Sequence, residues 1–297
     1  ANLRFIKIKS LKNFYFLTVL ILLSCSDKVS MQEFDSAEII KTIVLPKTIN
    51  ETSGLEFYNK NFITHNDSGD GPSLYVFNEN GDLIKTIDLN KGANFEIENN
   101  DWEDIASDDK YLYVADTGNN FGNRSNLNII RVNKEDDYKV DGIIEILYAD
   151  QETFFPRPKH KYDAEAILVI DEQLVLFSKD RENLNTDLYL VDKFEKAAQK
   201  LTSEFDFNVN SLITGGDYKN ELNLLALVSY NSKGNQYLIL FERFDLENLE
   251  ENTFKKYKIP LERAQIESIK IIDKNTFWVT SEDEGIGNPF MYKLKVK

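Results

Sequence analysis

One cysteine and two histidines among 297 residues leave this chain without the means for several common chemistries. A lone cysteine forms no intramolecular disulfide, and with so few histidines no zinc site of several Cys and His ligands can be built. Six prolines and thirteen glycines exclude fibrous and low-complexity classes. Positive charge is also scarce. Thirty-five Lys and Arg against 50 Asp and Glu give a net charge of −15, which argues against a nucleic-acid partner, because phosphate binding needs clustered bases. At 42% hydrophobic and 29% charged residues, the chain reads as an acidic globule.

The cysteine has a context. Arg4, Lys7, Lys9 and Lys12 form a basic stretch without an acid, and Phe14 to Leu23 is an apolar run of ten residues. A spanning helix needs roughly 20. The run ends Leu22-Leu23-Ser24-Cys25. A charged region, a short apolar region and a small residue before the cut describe a secretory signal, and Leu-Leu-Ser-Cys resembles a bacterial lipobox. The expectation is a signal peptide over 1–24, a lipid on Cys25, a tether over 25–36 and a domain over 37–297. Ser26, rather than Asp, at the second mature position favours the outer membrane by analogy with enterobacterial sorting. Removing residues 1–24 removes four bases and no acid, so the remainder is still more acidic.

Beyond residue 35 the sequence reads as strands: Phe62-Ile63-Thr64, Tyr111 to Val114, Leu174 to Phe177 and Phe277 to Thr280, separated by Gly, Asn and Asp clusters. Phe194 to Leu201 is the one helix-like stretch. A short segment followed by Ile or Leu recurs as Glu51 to Leu55, Asp101-Trp102-Glu103-Asp104-Ile105, Asp163-Ala164-Glu165-Ala166-Ile167 and Gln265-Ile266-Glu267-Ser268-Ile269. Each precedes a second strand ending in a polar pair: Asn66-Asp67, Asp116-Thr117, Lys179-Asp180 and Glu282-Asp283. Residues 211–242 supply a divergent further copy. Taking Ser53, Glu103, Glu165, about Gly215 and Glu267 as equivalent gives spacings of 50, 62, 50 and 52. That period predicts an all-β fold, a β-propeller of four-stranded antiparallel blades. Five blades are expected, with Ala37 to Leu45 closing the last; six is the alternative if residues 132–160 hide a degenerate blade. Phe154 to His160 reads as an inserted loop.

In such a blade the start of the first strand lies beside the end of the second, so the repeated acids should meet at one channel mouth. Glu103 with Asp116, Glu165 with Asp180, and Glu267 with Glu282 are the candidate metal ligands. An all-oxygen set suits calcium, which takes six to eight oxygens in loose geometry. The alternative is that these acids only cap strands. Asn66, Asp67, Asn119, Asn120 and Arg124, in two Gly- and Asn-rich turns, are candidate ligand-binding residues, Arg124 being equally suited to pairing a nearby acid. Glu103, Glu165, Glu267 and His65 are the catalytic candidates, although a hydrogen-bonded strand role is the commoner one for such a histidine. His160 reads as solvated. Trp102, Tyr230 and Trp278 could stack on a sugar, or fill blade cores.

The Asp101 to Ile105, Asp116 to Asn120 and Asp163 to Ile167 segments, with the Glu51 to Leu55 opening, resemble secreted bacterial β-propellers of the SdiA-regulated and phytase-like esterase groups, over roughly residues 50–290. The resemblance implies a propeller with acidic, calcium-binding channel residues and implies no reaction. Ala166 and Ser268 stand where those families have glycine. The sequence therefore points to a monomeric cell-envelope lipoprotein that meets a membrane through Cys25 and binds calcium and a ligand or partner. The alternative is a hydrolase, either a calcium-dependent lactonase or phosphoesterase or a glycosidase.

Overall fold

The computed structural model describes residues 34–297 apart from 262, 263, 284 and 286. The leader at 1–24, Cys25 and the tether up to residue 33 lie outside the described residues. The described part folds as a five-bladed propeller.

Blade 1 runs Thr52–Tyr58, Asn61–Asn66, Ser73–Phe77 and Leu83–Asp88, from the axis outward. Blade 2 runs Asp104–Ser107, Tyr111–Asp116, Asn128–Asn133 and Lys139–Tyr148. Blade 3 has Ala164–Ile170, Gln173–Ser178, Thr186–Asp192 and Phe205–Phe207. Blade 4 has Leu212–Lys219, Leu224–Tyr230, Gln236–Glu242 and Lys255–Ile259. Blade 5 takes three strands from the C-terminus, Ile266–Asp273, Thr276–Ser281 and Phe290–Lys295, and its fourth, Glu38–Val44, from the N-terminus. The expected closure is therefore present. Residues 132–160 hold the end of the third strand of blade 2 and its outer strand, with no further blade, which settles the count at five.

The patterning follows from where each strand sits. Second strands are covered by neighbouring blades on both faces, so Tyr111–Asp116 is buried throughout. Outer strands face water on one side, and Lys255–Ile259 accordingly alternates. Apolar clusters fill the space between each pair of neighbouring blades, including blades 5 and 1, where Ile43, Leu45, Phe62 and Trp278 pack together. Burying Ile43 and Leu45 contributes about 1.5–3 kcal/mol each, so the closing strand is held by packing as well as by its ladder.

Three details differ from the expected layout. Phe194 to Leu201 is not helical: Gln199–Leu201 adds a parallel strand to the outer edge of blade 2, and the only helices among the described residues are single 3₁₀ turns. Of its apolar residues only Leu201 is buried, whereas Phe194, Ala197 and Ala198 are exposed. Asp35–Ser36 pairs with the outer strand of blade 4 and Ala37 is buried, so the domain begins before residue 37. Finally, the blade 4 equivalent of Glu165 is Thr214, one residue before Gly215. Glu165, Thr214 and Glu267 each occupy a bulge in the ladder between the first and second strands. A bulge re-aims its extra side chain, here toward the axis.

Polar groups tie neighbouring blades together. Ser53 Oγ donates to the Glu103 carbonyl, Thr117 Oγ1 to that of Ala164 and Thr214 Oγ1 to that of Ile266. Near the axis, Asp104 accepts the amides of Ile105, Ile167 and Gly216, joining blades 2, 3 and 4. Further along the channel, Lys270 bridges Glu56 and Asp217. These contacts consume part of the acidic charge in structure.

Candidate functional site at the channel mouth

The ladder hydrogen bonds fix which residues of the second strands face the mouth. Asp67 donates its amide to the Glu51 carbonyl, Gly118 to Asp101, Lys179 to Asp163 and Glu282 to Gln265. Asp67, Gly118, Lys179 and Glu282 are thus equivalent, and Tyr230 holds the same place in blade 4 by register. One aspartate, one glycine, one lysine, one tyrosine and one glutamate surround the opening.

The glycine leaves room. A Cβ on Gly118 would collide with the Glu103 carboxylate and with Asp101, so only glycine lets those two side chains lie over the end of the second strand. Carboxylate oxygens of Asp67, Asp101 and Glu103 come within 4.8 Å of one another, as do those of Glu103, Asp163 and Glu165. Glu103 is 5% exposed, and among the described residues none donates a hydrogen bond to its carboxylate. Asp67 Oδ1 is likewise buried without a partner. Burial first, then the charges of Glu165, Asp67 and Asp101, push the Glu103 carboxyl well above its usual range. Burial, with Asp101, Glu165 and Glu282 nearby, pushes Asp67 up to about 9. Asp101 is raised mainly by burial as well.

The other half of the mouth is ion-paired. Lys179 Nζ lies 3.0 Å from Glu165 Oε2 and 5.5 Å from the Tyr230 ring centre. Burial opposes its charge, but Glu165, Glu267 and Glu103 outweigh burial and hold the ammonium above its ordinary range. Arg181 pairs with Asp163 and reaches within 3.7 Å of Glu165. Glu267 accepts a hydrogen bond from Gln265, and burial raises its carboxyl against the pull of Lys179. Glu282 is half-buried and contributes its charge to Asp67 and Glu267.

The sequence-derived set divides accordingly. Glu103, Glu165, Glu267, Glu282 and Asp67 do meet. Asp116 sits outside the group: its carboxylate takes Arg124 at 2.8 Å, the side-chain amides of Asn100 and Asn128, and the backbone amide of Asp101. Asp180 caps its own turn through the amides of Glu182 and Asn183. Asn66 is spent on Glu51, Thr48 and Asp70, and the fully buried Asn119 on Tyr162 and Arg124. Asn120 accepts from Arg181. Arg124 pairs with Asp116 and donates to the Gly118 carbonyl, so this turn is structural.

His65 is fully buried, edge-on to Trp102, behind Gly54. Burial lowers its pKa to about 4, leaving a neutral strand residue. His160, expected to be solvated, is 2% exposed, because the inserted loop folds back over Gly122 and its ring nitrogens bond Tyr162 and Asn120. Trp102 and Trp278 fill cores, and only Tyr230 remains partly exposed.

Asp101, Asp163, Lys179 and Arg181 were not among the sequence-derived site residues. A signal existed for the first two. Each lies two residues before a repeated Glu, and in extended chain residues i and i+2 share a face. Lys179 was hidden because the polar pair Lys179-Asp180 reads equally well with either member inward.

No protein-family profile and no curated protein matches the chain. Among solved structures, a GH43 β-1,3-galactosidase determined with galactodeoxynojirimycin aligns over 87% of this chain and 94% of its own, at 10% identity and a TM-score of 0.51. A hypothetical protein from Leishmania major aligns over 87% and 91%, at 8% identity and a TM-score of 0.49. At such identities these likenesses concern the fold.

Proposed function

We propose that the protein is a calcium-binding β-propeller whose working end is the acidic channel mouth, tethered to the cell-envelope membrane through a lipid on Cys25. The observation that carries the calcium reading is the convergence of carboxylate oxygens of Asp67, Asp101 and Glu103 in one cluster, with Asp67 Oδ1 buried and without a hydrogen-bond partner. Buried carboxylates without donors are costly, and a hard cation is the counterpart an all-oxygen set fits. Asp67, Asp101 and Glu103 would hold it. The resemblance to SdiA-regulated and phytase-like esterase propellers is consistent with this reading.

Isothermal titration of chelator-treated protein with calcium chloride should give a saturable heat with a dissociation constant of about 10⁻³ M or tighter, the range of extracellular modules. Absence of heat, together with a melting temperature indifferent to calcium and to chelator, would refute it. The tether reading rests on the basic stretch and on Leu22-Leu23-Ser24-Cys25. Cys25→Ser should move the expressed protein from the membrane fraction to the soluble one, and an unchanged distribution would remove the anchor.

A second reading, hydrolysis at the same mouth, is supported by the division between Glu103, which burial inclines to hold a proton, and Glu165, which is ion-paired to Lys179 a few ångströms away. Such a division suits an acid and a base or nucleophile. It requires turnover of an aryl-glycoside, lactone or phosphoester probe that Glu103→Gln abolishes.

A further inference from the structure

A cleft of about 490 Å³ opens at the same end of the propeller, between blades 4 and 5. Its walls are the end of the second strand of blade 4, at Tyr230, the following turn through Ser232 to Gln236, and Gln265 just before the first strand of blade 5. It adjoins the acidic centre at two points. Tyr230 has Lys179 against its ring, and Gln265 donates to Glu267. The volume lies within the range of small-molecule sites.

The lining defines the ligand by what it offers and what it omits. Among the described lining residues Lys233 is the one charged side chain, and it is exposed. The acids next door would repel an anion. Among the described lining residues the apolar groups are Leu261, Ala264 and the Tyr230 ring. Amides dominate the rest. Asn231 is spent on Tyr237 and on the amides of its own turn, and Gln236 Oε1 on Ile266. Among the described residues the Tyr230 hydroxyl, Gln265 Oε1 and Asn235 Oδ1 make no hydrogen bond. An aromatic side chain that can cover the C–H face of a ring, set among amide and hydroxyl groups that both donate and accept, matches a polyhydroxylated ring.

We propose that this cleft is a subsite for a neutral pyranose ring, bound with its apolar face on Tyr230 and its hydroxyls toward Gln265 and Asn235. The proposal rests on the reading of the channel mouth as the working end, and it names the ligand class that end receives. A free sugar and one residue of a glycan chain share this chemistry and differ in how much of the mouth they cover.

The test is saturation-transfer NMR on the full chain. The probes are glucose, galactose and N-acetylglucosamine, then maltotriose, cellotriose, galactotriose and chitotriose, with a galacturonate trimer as the anionic control. Each is run in calcium and in EGTA. Transfer to at least one neutral probe is expected, weakened at least tenfold in dissociation constant by Tyr230→Ala. Ser232→Trp, on an exposed position of the turn, fills the cleft without touching the core and should have the same effect in a protein that melts like wild type. Monosaccharide binding assigns a free sugar and binding of trisaccharides alone assigns a chain; either supports the subsite. Absence of transfer from every neutral probe, preference for galacturonate in EGTA, or full retention in Ser232→Trp would overturn it. If calcium produces heat while no sugar binds, the cleft fails and the ion stands. If sugar binds equally in EGTA and calcium gives no heat, the reverse holds.

Discussion

Replacing Lys179 by methionine is expected to destabilise the protein by about 3–5 kcal/mol, the cost of removing one partner from a buried ion pair. The side chain is 5% exposed, its ammonium is 3.0 Å from Glu165, and Glu267 and Glu103 face it as well. Methionine matches the length and, among the described residues, leaves those carboxylates with no paired cation but Arg181, which Asp163 already holds. The penalty is thus mostly the cost of uncompensated charge rather than of lost packing. Urea denaturation in chelator should show the lower midpoint with an unchanged slope. The double variant Lys179→Met, Glu165→Gln should recover part of the loss, because it removes a charge along with its partner. A Lys179→Met protein as stable as wild type would mean that the acids around it are neutral in the native state.

The second large effect is on the response to pH and calcium. The folded protein holds Asp67 at about 9 against 3.8 in the unfolded chain, with Glu103, Glu267 and Asp101 shifted the same way. Between those values the native state binds more protons than the unfolded one, so its stability falls as pH rises. In chelator, stability should therefore decline steadily from about pH 4 to about pH 9. Below that window the opposite sign takes over at groups such as Asp108. Burial works against its carboxylate, but the Tyr111 amide, Tyr113 and Lys193 hold its pKa low, and that contribution is lost on acidification. On the calcium reading, saturating calcium would bind the ionised form and should flatten the decline between pH 6 and 9. Glu103→Gln should weaken calcium binding at least tenfold by titration, and it should also raise the stability of the calcium-free protein at pH 8. A variant that loses stability without calcium would show that Glu103 is a structural strand cap, the alternative the sequence left open.

The repeat was legible because blades are equivalent environments. Each must start an inner strand with a residue that faces the channel, follow it with a strand buried on both faces, and end with a turn, and that demand is written into the chain every fifty residues or so. Closure by the N-terminal strand could be read from a last copy with three strands and a spare apolar strand at Ala37 to Leu45. Glu103, Glu165 and Glu267 stood out for the same reason. Asp180 was misplaced because a shift of one residue reverses the direction of a strand side chain; Asp116 lies two residues before Gly118, the residue that reaches the mouth in blade 2, and the bulges at Glu165 and Glu267 alter the register locally.

The sequence by itself determined the class of fold, the closing strand and the chemistry available at the mouth, because periodicity and composition are properties of the chain, while the structure settled five blades against six. Tertiary structure alone decided how the charges pair. Arg124 claims Asp116, Lys179 claims Glu165, Arg181 claims Asp163, and Asp67, Asp101 and Glu103 are left facing one another over Gly118. Those partners lie up to dozens of residues apart, and electrostatic energy depends on distance and burial, which no local pattern encodes.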